Sequence, residues 1–187
     1  DTEIENLSQR VEDSAAFTVG PSAMGDVERF GGAARRHLEH LPTGDCSISV
    51  VLDIGNGVGQ LTADALLAMG CAVTTLDAQR DGTFPGRPSE PTAENCRRLS
   101  SIAASTDADL GIAHDGDADR MMAVDETGRF VTGDELLALF AAETAAPGTD
   151  VAAPINASAS LDAVVGAAGG SVVRTAVGDG NVAQACT

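Results

Sequence analysis

Through its middle the chain alternates short apolar runs with polar or glycine-rich breaks. Residues 47–53, Ser-Ile-Ser-Val-Val-Leu-Asp, read as a buried strand rich in β-branched side chains. The turn Gly55-Asn56-Gly57-Val58-Gly59 follows, then a predicted helix over 61–69 that Gly70 stops. Cys71 to Leu76 reads as a second strand, ending at Asp77. Strand, helix and strand at this spacing make a βαβ unit. After a Gly/Pro loop over 81–88, Glu90-Pro91 is expected to open a helix with apolar face Cys96, Leu99, Ile102 and Ala103. Leu110 to Ala113 is the third strand. Met121–Val124 and Phe130-Val131 pair as a hairpin around Asp125–Gly128, with Gly128 free to take positive φ. Thr132-Gly133-Asp134-Glu135 is a capping box opening another helix.

Either side of this pattern the chain is less complete. Residues 1–40 are polar and acidic, with a helix-like stretch over 27–41, an expected helical turn at Glu3–Leu7 and no self-contained core. His37 and His40 read there as solvated helix residues. Beyond the linker at 145–148 come a strand from Val151, a helix over 161–168, a strand over 172–175 and the start of a helix. The expected division is 1–40 as a connector, 41–146 as one α/β domain and 147–187 as the opening of another. The expected fold class is a three-layer α/β/α arrangement with a mixed sheet, flanked by partial domains.

Composition narrows the chemistry. The 187 residues are 43% hydrophobic but only 3% aromatic, so the core must be aliphatic. Net charge is -17, and all 11 basic residues are Arg. Nucleic-acid and anionic-membrane partners need a basic face and are not expected. Zero Lys with abundant Ala, Asp and Glu points to a halophile surface; a melting temperature indifferent to KCl would contradict this. Cys46, Cys71, Cys96 and Cys186 form no CxxC pair and read as buried thiols in a reducing, cytoplasmic compartment. No apolar run has membrane-spanning length. Nothing in the sequence sets the oligomeric state.

The candidate chemistry lies in His114-Asp115-Gly116-Asp117-Ala118-Asp119-Arg120. Three acids at alternate positions repel one another, and a fold that gathers them usually does so around a cation. Their hard oxygens favour Mg²⁺, Mn²⁺ or Ca²⁺. Arg120 adds a fixed cation beside that ion, which suits a phosphate between them. An EF-hand reading aligns Asp115, Asp117, Asp119 and Glu126. It is disfavoured because Arg120 stands where the sharp turn needs Gly and strands flank the loop. Glu126 reads as a hairpin tip, His114 as a packed residue. The glycine turn with Asp77 also resembles the cofactor motif of S-adenosylmethionine-dependent methyltransferases, so that reading stays open here, as does a non-catalytic metal-binding module.

Several segments together resemble the α-D-phosphohexomutases, the family of phosphoglucomutase, phosphomannomutase and phosphoglucosamine mutase. Asp115–Arg120 with its Gly111-Ile112-Ala113 lead-in is similar to the family's metal loop. Phe84-Pro85 with Ser89–Asn95, Gly55-Asn56-Gly57 with Gly59, Asp125–Gly128 and Gly133–Leu136 match in order and spacing. The resemblance implies that Asp115, Asp117 and Asp119 bind Mg²⁺, that Arg120 contacts a phosphoryl group, and that the substrate is a hexose phosphate. It implies phosphoserine chemistry through a bisphosphate intermediate. It also implies that the chain corresponds to the end of a first domain, all of a second and the opening of a third. No Thr-Ala-Ser-His-Asn-Pro-like serine loop occurs, so the chain alone is expected to bind metal without turnover. Gly180 stands where relatives often carry a basic residue.

Overall fold

The computed structural model describes residues 24–41 and 44–186, together with residues 9 and 20. The turn expected at Glu3–Leu7 lies outside them. The elements, in order, are α1 (Ala33–Leu38), β1 (Ser49–Asp53), α2 (Gln60–Ala68), β2 (Ala72–Leu76), α3 (Arg97–Ser105), β3 (Leu110–His114), β4 (Met121–Asp125), β5 (Phe130–Val131), α4 (Gly133–Thr144), β6 (Asp150–Pro154), α5 (Ser160–Ala167), β7 (Ser171–Thr175) and α6 (Asp179–Ala185).

β1 to β5 form one mixed sheet in the order β2-β1-β3-β4-β5, parallel across the first three strands and antiparallel across the rest. Alternation along β1 sorts its side chains to two faces. Val50, Leu52 and Ile54 pack with Cys71 and Ile112, and Ala63, Leu66 and Met69 from the α2 segment close over them. Val51 packs on the other face with Cys96, Leu99, Ala103 and Val124, under α3. Helix, sheet and helix therefore form the three layers. β6 and β7 make a separate two-stranded parallel sheet. Ala141 of α4 joins Ala153, Leu161 and Val165 in its core, so α4 stands at the seam between the two sheets.

Three local expectations are corrected. Only Ala33–Leu38 of the stretch 27–41 is helical, and no residue of that helix is buried, so it has no apolar face to anchor more turns. The helix expected from Glu90-Pro91 starts at Arg97, because Asn95 bonds Thr92 Oγ1 and Glu90 O and holds a turn there instead. Cys71 and Cys96 are buried as expected, but Cys46 is only partly buried and Cys186 is exposed; all four cysteines are free. The Thr132–Glu135 capping box forms, and Gly128 takes φ of 85°. Among the described residues no helix is long and apolar enough to cross a membrane.

Candidate metal centre

The strand order places the site. β1 connects outward to β2, and β2 returns across β1 to β3, so the carboxyl ends of β1 and β3 flank a topological switch point. Crevices at such points are where open α/β sheets bind ligands. The glycine turn leaves β1 here, and the acidic loop leaves β3.

β3 ends at His114, pairs with Met121 as the chain returns, and leaves Asp115–Arg120 as the loop between. One carboxylate oxygen from each of Asp115, Asp117 and Asp119 lies within 4.8 Å of the others, so the three acids expected to share an ion are brought together. Asp115 is buried while Asp117 and Asp119 face solvent. Ala118 takes φ of 62°, the left-handed bend that turns the loop. Glu126 is not among the gathered acids, and strands rather than helices flank the loop, so the EF-hand arrangement is absent.

Arg120 closes the loop. Its backbone N–H donates to Asp115 Oδ1 at 3.1 Å and its Nε to Oδ2 at 2.9 Å. Its Nη1 donates to Glu90 at 2.7 Å. Burial opposes charge on Asp115, yet Arg120's backbone and side-chain hydrogen bonds, with its charge, hold that carboxyl below its ordinary range. Asp119 is raised, chiefly by the charge of Asp117 and then by burial and Asp115. The donors are all carboxylate oxygens, with no thiolate or imidazole. Their mutual repulsion is what a hard divalent cation would relieve, so the residues fit such an ion.

His114 braces the same loop. Its Nδ1 sits 3.1 Å from Arg120 O, which can only accept, so the network places the proton there. Nε2 then accepts from the Thr62 hydroxyl at 2.9 Å. Nothing in the spacing of the sequence announces this role.

The glycine turn is occupied by the protein itself. Val58 N–H donates to Gly116 O at 3.1 Å, and a Cβ at Gly57 would stand 2.5 Å from that same oxygen. Gly57 is thus needed so that the acidic loop can lie against the turn. Asp77, which the methyltransferase reading would place on a ribose, is ion-paired with Arg98. The turn seats the acidic loop and the acid is already paired, so the cofactor reading finds no support in the geometry.

Residues 33–128 match the sequence model described as phosphoglucomutase/phosphomannomutase, alpha/beta/alpha domain II. The chain belongs to the phosphoglucomutase/phosphomannomutase family. Residues 132–187 match the same family's alpha/beta/alpha domain III. A probable phosphoglucosamine mutase of Methanosarcina barkeri is 44% identical over 185 residues, covering 96% of this chain and 42% of that protein. One from Methanothermobacter thermautotrophicus is 47% identical over 138 residues, covering 73% of this chain and 30% of the relative. The chain therefore spans about two fifths, or less, of the length of these curated relatives. The crystal structure of a phosphoglucomutase/phosphomannomutase family protein from Burkholderia thailandensis superposes with a TM-score of 0.78 at 28% identity, over 99% of this chain and 41% of that one. Neither a methyltransferase nor a metal-binding module without catalysis finds support among these relatives.

Proposed function

We propose that this chain is the metal-centre portion of a phosphohexomutase, an isomerase of carbohydrate metabolism that moves a phosphoryl group within a hexose phosphate. Asp115, Asp117 and Asp119 would hold the ion, with Mg²⁺ the best match to an all-carboxylate set. When bound, that ion supplies charge neutralisation for a transferring phosphoryl group. Arg120 is the residue assigned to the chemistry. Its Nε fixes it to Asp115, while 55% of its side chain remains exposed and able to meet a phosphoryl oxygen. Among hexose phosphates, the relatives named phosphoglucosamine mutase favour glucosamine phosphate.

The observation that carries this reading is the convergence of three carboxylates and one guanidinium at the end of β3. The domain division proposed from the sequence goes with it, α4 standing at the seam. So do a halophile setting and a cytoplasmic location, supported by the charge of -17 and the free thiols. That charge also leaves no nucleic-acid or membrane partner in the proposal. Crystals soaked in Mn²⁺ test it: one anomalous peak is expected at roughly 2 Å from an oxygen of each aspartate. A peak elsewhere, or none at saturating metal, contradicts it.

A further inference from the structure

Arg87 is the one arginine among the described residues that is buried, its side chain 5% exposed beside an Asp53 at 2%. Its guanidinium has five N–H donors and five acceptors within reach. Nε donates to Asp53 Oδ2 at 2.8 Å. Nη1 donates to Pro88 O and Ser89 O, both at 3.0 Å. Nη2 donates to His114 O at 2.5 Å and, more weakly, to Asp53 O at 3.5 Å. Asp53 in turn accepts the Gly55 N–H at 2.9 Å. Gly55 has φ of 59°, and a Cβ there would stand 2.5 Å from Nη2, so the glycine turn is shaped to seat this side chain.

Two of these bonds lead to the acidic loop. His114 O belongs to the peptide from which Asp115 departs. Ser89 O precedes Glu90, and Glu90 accepts from Arg120 at 2.7 Å. One guanidinium therefore holds both the root of the loop, at His114 O, and the backbone carbonyl just before Glu90, whose carboxylate steadies the closing arginine. A buried ion pair is seldom retained for stability alone, since its desolvation offsets most of its attraction. Directed geometry is the better account.

We propose that Arg87, held by Asp53, is a positioning residue of the metal centre, fixing the loop directly at His114 O and indirectly through the Ser89 carbonyl next to Glu90, without touching the ion. The inference rests on the metal reading above. The test is calorimetric Mg²⁺ binding to the 187-residue chain, well below its unfolding temperature. Arg87→Lys keeps the charge and loses the fork, so long-range attraction is unchanged. Its Mg²⁺ affinity is expected to fall about 10–100-fold, as for other groups that orient ligands from behind. Arg174→Lys, altering a similar arginine in the second sheet, is expected to leave it unmoved. A folded Arg87→Lys chain that binds like the wild type overturns the proposal. Failure of the wild type to bind Mg²⁺ overturns the metal reading itself, and this inference with it. Where Arg87→Lys does not fold, NMR of the unmodified chain decides. The Arg87 Nε–H signal is expected to shift on Mg²⁺ titration with the midpoint seen by calorimetry, and an unmoved signal at saturation overturns the proposal.

Discussion

Arg87, in the loop between β2 and α3, and Arg174, in β7, each donate to several carbonyls, and each reaches the carboxyl end of a parallel strand, β1 and β3 for Arg87 and β6 for Arg174. Arg87 is sealed from water with Asp53. Arg174 donates to Pro154 O, Ala157 O and Ser158 O and pairs with Asp162, but that carboxylate is 51% exposed. Around Arg87, water cannot take over a lost partner, so every donor and acceptor there depends on the others. Around Arg174 solvent can replace what is lost. The same side chain is thus a fixed point beside the first sheet and a clasp in the second. The fixed point lies beneath the acidic loop.

The comparison breaks first on stability. Arg87→Ala strands a buried carboxylate and is expected to cost about 3–5 kcal/mol, read as a lower urea midpoint by far-UV circular dichroism. Arg174→Ala is expected to cost about 1 kcal/mol or less, because its ion pair is screened by water. Equal losses would erase the distinction between the two regions. A smaller effect sharpens it at the edge of the first sheet. Asp125 accepts from the Thr127 hydroxyl and amide and from Arg129, and these bonds, the Thr127 hydroxyl first, hold its pKa at about 2. A lowered carboxylate stabilises the fold above its ordinary range, and that stability is lost as pH falls towards about 2. Asp125→Asn is therefore expected to flatten the acid limb of a stability profile between about pH 4 and pH 2. An unchanged limb would show that the exposed hairpin tip carries no pH dependence.

What the sequence disclosed follows the same divide between local and distant. Strands β1 and β3 and the capping box at Thr132 are read from neighbours in the chain, through apolar runs and cap spacing. The aspartates are read the same way, because alternate acids between two buried strands have little room to separate. Arg87 and Asp53 lie 34 positions apart, and no periodicity links a loop arginine to the last residue of a strand. The glycine turn was ambiguous for a related reason. Gly55 and Gly57 are equally apt to admit a cofactor or the protein's own loop, and only the approach of Gly116 decides. At Pro91 a good first-turn residue was outweighed by the side-chain bonds of Asn95.

The most direct test of the central claim, that the loop after β3 gathers one hard cation, is Mg²⁺ titration of the wild-type chain beside Asp117→Asn. Asp117 is exposed and contributes nothing to the buried core, so this variant should keep its fold. Saturable binding of one ion by the wild type, abolished in Asp117→Asn with a metal-free melting temperature no lower than the wild type's, is the predicted result. Equal Mg²⁺ binding by the two chains, or none by either, would contradict it.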